Sequence, residues 1–177
     1  MKAITMWQPW ASLLACGAKK YETRSWATQY RGPIAIHAAK KDPHSIMVSL
    51  PHDISKSIYD CIYTQFGIQS GALNKMPVGC IIATAELVNC WRIVYNPGTD
   101  IDKAKTIPIG AELDVPKHHP DFHRYIVPTA EEMMFGDWTP GRYAWEFANM
   151  TMLPEPKPAK GMQRLWNWEV SEDVPMP

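Results

Sequence analysis

Between residues 16 and 32 the chain reads CGAKKYETRSWATQYRG (Cys16–Gly32), and this segment sets the expectation for everything around it. Gly17 follows the apolar run Ala11–Ala15, where a helix C-terminus commonly needs a left-handed residue. From Lys20 to Trp26 the residues alternate as in a strand. Glu22, Arg24 and Trp26 fall on one face, Tyr21, Thr23 and Ser25 on the other. An acid, an arginine and a tryptophan thus share one side of a short strand. Lys19 has the wrong parity for that face and is placed in the preceding turn, swinging over the same hollow. The bland alternative is a solvated strand face with two ordinary charges, and a short motif of this kind is a hypothesis on its own.

Charge is distributed unevenly around this segment. The 177 residues carry 18 basic and 18 acidic side chains, so the formal net charge is zero. Residues 1–41 hold seven basic residues (Lys2, Lys19, Lys20, Arg24, Arg31, Lys40, Lys41) against the single acid Glu22. The other half of the balance is acidic. A neutral protein with an electropositive segment can focus an anionic ligand without becoming a general polyanion binder. Sixteen prolines and eight tryptophans favour a loop-rich β architecture over a helical bundle. No apolar run is long enough to span a bilayer, and no signal peptide is evident, so a cytoplasmic, membrane-free protein is expected. Cys16, Cys61, Cys80 and Cys90 show no Cys-x-x-Cys spacing, and free thiols rather than a zinc site are expected. No cofactor is expected.

Gly17-x-Lys19-x-x-Glu22-x-Arg24 resembles the Gly-x-Lys-x-x-x-x-Arg signature of the ASCH (activating signal cointegrator homology) domain. Further blocks resemble that family in the same order: Trp7–Leu14, Arg24–Trp26, Tyr30–Gly32, Met76–Ile82, Ala85–Leu87, Gly141–Trp145 and Gly161–Trp166. The resemblance implies an α+β fold, a PUA-like mixed β-barrel with flanking helices, as a single domain over 1–177. It implies a cleft lined by the signature residues and a family proposed to bind RNA, some members binding DNA. Small bacterial members deacetylate acetylated cytidine, and one is described as a ribonuclease. Lys19 matches the catalytic lysine of the deacetylase branch. The nucleophilic threonine of that branch is replaced here by Glu22, with Thr23 one residue off.

The rest of the chain fits around this frame. Lys2–Met6 reads as a strand, and Pro9 suits the first turn of a short helix ending at Gly17. Trp10 reads as core, and Trp7 as either core or a stacking ring. Ile34, Ile36 and Ala38 alternate with Ala35 and His37, giving a strand with one buried face. His37 is a candidate general base if it faces a hollow, and otherwise an ordinary hydrogen-bonded strand histidine. Asp42-Pro43 is a helix start, and Ile54, Ile58, Cys61, Ile62 and Phe66 form one helical stripe, so 42–66 is read as a helical insertion outside the barrel. Val78–Val94 is the longest strand-like run, with Glu86 seeking Lys19, Arg24 or Arg31, or else exposed.

Residues 96–128 read as a long excursion with short pieces of structure. His118, His119, Asp121 and His123 cluster there, but in no metal-binding spacing, and a solvated turn is the default. Thr129-x-x-Glu132 is a capping box. Arg142–Met150 is a strand, Leu153–Pro158 a polyproline-like connector, and Lys160–Trp168 a closing segment; the last seven residues read as frayed.

Three readings follow. In the first, the chain binds RNA, single-stranded nucleic acid or a nucleotide-like small molecule. Lys19, Arg24 and Arg31 meet phosphates, Glu22 accepts from an exocyclic amine, and Trp26 or Trp7 stacks on a base. In the second, it hydrolyses a modified nucleoside or RNA, with Glu22 as general base and Lys19 as charge stabiliser. A protein-interaction domain is the third reading.

Overall fold

A computed structural model describes residues 1–66, 76–95, 109–113, 118, 125–170, 174, 175 and 177. In chain order the elements begin with β1 (Lys2–Met6), α1 (Trp10–Ala15), β2 (Tyr21–Arg24), β3 (Gly32–Ala38), α2 (Pro43–Ser49) and α3 (His52–Phe66). They continue with β4 (Cys80–Tyr95), β5 (Ile109–Leu113), β6 (Tyr125–Ile126), α4 (Ala130–Met134), β7 (Tyr143–Pro158) and β8 (Leu165–Asn167). The architecture is α+β, built on a mixed sheet. Its hydrogen-bonded order is β2-β7-β4-β3-β1-β8, with β5 added to β4 and β6 to β5. The hydrogen-bonded order does not return from β8 to β2 among the described residues, so the expected barrel is not shown. None of the described helices is long and apolar enough to cross a membrane.

Contacts divide the chain into two compact units. Unit 1 comprises Met1–Lys20, Gly32–Leu87 and Phe147–Pro177; unit 2 comprises Tyr21–Arg31 and Val88–Glu146. In unit 1, β1 pairs in parallel with β3, from Lys2 opposite Ile34 to Met6 opposite Ala38, and antiparallel with β8. On its other edge β3 pairs antiparallel with β4, with the register shifting between Ile36 and His37. Five consecutive residues of β3, Ile34 to Ala38, are buried. One buried face was the expectation. The second is covered because α1 packs on β3 and a separate cluster of Ala3, Ala35, Ile81, Leu153, Trp166 and Val174 also reaches it.

Helix α1 is buried at every position from Ala11 to Ala15. Pro9 has no side-chain cap to offer, and the fully buried Gln8 takes over. Its Oε1 accepts from the Ser12 amide at 3.1 Å while its Nε2 donates to the Pro77 carbonyl at 2.9 Å. The helix stops at Gly17, at φ +78°, as the sequence predicts. The start of α2 is also as predicted: the Asp42 carboxylate accepts from the amides of His44 and Ser45, and Pro43 occupies the first turn.

Two readings of the C-terminal region are corrected. Leu153–Pro158 is the end of β7, not a connector. Its prolines, Pro154, Pro156 and Pro158, recur at every second position, so the missing N–H groups all lie on one edge and the other edge keeps its donors. The expected fraying fails at Val174, which is buried in the Ala3 cluster, and at Pro175, whose carbonyl accepts from Thr84 Oγ1 at 2.8 Å.

Unit 2 has its own core of Tyr21, Trp91, Ile93, Trp138 and Ala144, with Ile126 and Met133 against it. Tyr21 and Trp138 meet edge to face at 5.8 Å. The capping box holds: Thr129 Oγ1 accepts from the Glu132 amide at 3.2 Å and starts α4. The 96–128 excursion contributes β5 and β6; most of the remainder lies outside the described residues.

Candidate functional site

The segment 21–31 belongs to unit 2, and its parity is as read from the sequence. Along β2, Tyr21 and Thr23 are buried while Glu22 and Arg24 are half-buried. Antiparallel pairing with β7 sets Glu22 opposite Trp145 and Arg24 opposite Tyr143, and directly opposed side chains share a face. Arg24 Nη2 lies 3.1 Å from Glu22 Oε1, the two side chains retaining 26% and 12% of their exposure. The strand itself ends at Arg24, two residues short of the expectation, and Trp26 lies beyond it. There its ring meets Trp145 edge to face at 4.5 Å, and its carbonyl accepts from Trp145 Nε1 at 3.2 Å. Arg31 is exposed and donates through Nη1 to the carbonyls of Thr28 and Tyr30. The guanidinium therefore braces its own loop through Nη1.

The opposite face of β2 carries a polar group that the sequence reading passed over. Glu146 is only 9% exposed, and its Oε2 accepts from Asn89 Nδ2 at 2.9 Å and Trp91 Nε1 at 2.8 Å. Glu146 was legible only as one position on an alternating strand; its partners lie more than fifty positions away. Arg142 is paired with Asp137 at 3.2 Å. The Thr139 hydroxyl, and then the Arg142 charge among weaker causes, hold the Asp137 carboxyl below its ordinary value.

Lys19 and Trp7 belong to unit 1. Lys19 is 2% exposed, so its side chain is packed inside rather than swinging from a turn, and it is not without partners. Its amide donates to the Leu13 carbonyl, which extends the helix stop at Gly17. Trp7 is 51% exposed, with Lys41 Nζ 4.0 Å above its ring, a cation–π contact on the surface. Glu86 accepts from Asn149 Nδ2 at 3.0 Å, rather than from the cations expected for it. His37 is buried, its Nε2 3.1 Å from the Ala159 carbonyl. All four cysteines are free. No group of three metal-ligating side chains occurs among the described residues, and His119, Asp121 and His123 lie outside them.

The family model for the ASCH domain matches residues 4–156. Activating signal cointegrator 1 of Mus musculus is 33% identical over 91 residues, and its Homo sapiens counterpart 32% over 91 residues. Each alignment covers 49% of this chain and 14% of the relative, so the chain spans a small part of those proteins' length. From the order of its motifs, the strand carrying Glu22 and Arg24, and a family match over most of its length, this chain belongs to the ASCH domain family.

Proposed function

We propose that the chain binds RNA or another single-stranded nucleic acid through the 21–31 segment of unit 2. The observation that carries this reading is the shared face of β2, where Glu22 and Arg24 pair beside an aromatic wall of Trp26 and Trp145. Arg24 keeps a quarter of its surface and Arg31 is exposed, which suits phosphate contacts. Trp26 is half-buried and offers the ring face that Trp145 leaves uncovered to a splayed base. Glu22 orients the guanidinium and accepts from a base amine. Its commitment to Arg24 supports a binding role over that of a general base. The family resemblance favours the same class of ligand. Lys19 is tied to the reading by the signature alone, and Trp7 with Lys41 forms a separate aromatic–cation pair in unit 1.

The test is fluorescence anisotropy with short single-stranded RNA and DNA at low salt. Trp26→Ala is expected to weaken binding by about 1–3 kcal/mol, the usual worth of one base–aromatic stack. Binding that is absent in the native protein, or indifferent to Trp26→Ala, would overturn the assignment. Turnover of acetylated cytidine that disappears in Glu22→Gln would replace it with the hydrolase reading.

A further inference from the structure

Unit 1 contains a hollow of about 630 Å³ that shares no residue with the 21–31 segment. Its wall is largely apolar or plain backbone, from Ala39, Gly79, Pro158 and Ala159, with Lys40 and Lys160 at the exposed mouth. The other polar side chains in the wall are Thr5 and His37. Thr5 Oγ1 accepts from Trp166 Nε1 at 3.1 Å. The His37 ring is buried, with Nε2 on the Ala159 carbonyl and Gly161 packed against Nδ1 and Cε1. The floor of the hollow therefore suits an apolar group better than a hydrogen-bonding edge.

The rim carries charge of one sign. Lys40 is laid along the wall at Gly79, where a Cβ would stand 3.6–3.8 Å from its Cβ, Cγ and Cδ, so the stem is packed while the ammonium reaches water. Lys41, next in the chain, sits over the Trp7 ring, and Lys160 is exposed across the hollow's lining. None of these three lysines has a carboxylate partner among the described residues. Asp42, beside them in sequence, spends its two oxygens on the amides of His44 and Ser45. Large apolar side chains are exposed on the same segments: Trp7, Val78 beside Gly79, and Met162 beside Gly161. Three bonds gather these segments: Ala39 N–H to the Met6 carbonyl at 2.7 Å, Gln8 Nε2 to that of Pro77 at 2.9 Å, and Ala159 N–H to that of Gly79 at 3.1 Å.

Unmatched cations interleaved with exposed apolar side chains mark an interaction surface and set the charge of what covers it. An inorganic anion would leave the apolar floor in water. An uncharged apolar molecule would leave the lysines without a use. A bilayer presents a broad surface rather than a group that enters a hollow. We propose that this surface docks an acidic peptide segment of a partner protein. One apolar side chain of the segment enters the hollow, and carboxylates on either side of it meet Lys40, Lys41 and Lys160. The proposal does not depend on the role given to Arg24 and Trp26.

The experiment titrates the full chain, with ¹³C-labelled methionine methyls, against a short peptide of Asp and Glu with one central Phe. The Met162 resonance is expected to move on binding. The same peptide with Ala in place of Phe is expected to bind about tenfold more weakly or worse, because the apolar anchor is lost. Lys40→Glu with Lys160→Glu, at two exposed positions, is expected to cost about tenfold or more in affinity for the Phe peptide, with an unchanged urea midpoint. Arg24→Gln and Trp26→Ala leave peptide binding as it is. Failure of the Phe peptide to bind, an Ala peptide that binds as tightly, or affinity that survives the double lysine change overturns the proposal. So does a single-stranded oligouridylate or a phosphatidylserine vesicle that displaces the peptide and moves Met162 in its place, since the surface would then belong to a different kind of partner.

Discussion

Strands β2 and β3 are neighbours in sequence, and both alternate, but their surroundings make different use of that alternation. Strand β2 is covered on one face only. Tyr21 and Thr23 go into the core of unit 2, while Glu22 and Arg24 stay half-buried and answer each other at 3.1 Å. Strand β3 is covered on both faces, so the one polar residue on its buried run, His37, ends 2% exposed with one nitrogen matched and the other without a partner among the described residues. A polar side chain on a half-covered strand can settle its charge locally. On a doubly covered strand it depends on groups brought from far away, here the carbonyl of Ala159.

Substitutions along the two strands should separate them by size of effect. Ile36→Ala, at a fully buried position of β3, is expected to lower unfolding free energy by about 2–5 kcal/mol in urea titration. A loss near zero would mean that β3 is not covered on both faces. On β2 the comparable change is small. Arg24→Gln removes a partly solvated pair and is expected to cost about 1 kcal/mol or less, with binding falling far more than stability. A large stability loss with unchanged binding would reverse the contrast.

Between these lies the pH dependence of β3. Burial pushes the His37 pKa below its ordinary value, with the bond to Ala159 opposing only in part. The folded state then resists protonation that the unfolded chain accepts. As pH falls through the unfolded-state value of about 6.5, the protein should lose stability, levelling off below the folded-state value. Above that unfolded value His37 contributes no slope. Urea unfolding between neutral and mildly acidic pH should show this loss in the native protein and less of it in His37→Gln; equal slopes would show that His37 titrates normally. A further small effect, confined to stability, is expected at a helix end next to β3. Asp42→Ala removes the cap of α2 and is expected to cost about 1 kcal/mol, with no change in nucleic-acid affinity.

The features legible in the sequence were those whose cause is local. Gly17 stops α1, Asp42 and Thr129 start α2 and α4, and the parity of Glu22 and Arg24 follows from a period of two. The motif order reached as far as the family. What stayed hidden depends on chain brought from a distance. Nothing near Lys19 announces that it is buried, and nothing near Glu146 announces Asn89 and Trp91. Prolines at 154, 156 and 158 pointed to a connector because each one breaks a ladder, while their shared parity leaves a usable edge. The close approach of Gly161 to His37, where a Cβ would stand 2.4 Å from Cε1, joins distant parts of the chain that no spacing rule connects.

The central claim, that Arg24 and Arg31 of the 21–31 segment meet phosphates, is tested most directly by the salt dependence of single-stranded RNA affinity. Native protein is compared with Arg24→Gln, Arg31→Gln and the pair. Each lost phosphate contact is expected to flatten the log–log slope by about 0.7, and the double change by about twice that. A slope that stays the same in the double variant would contradict the account.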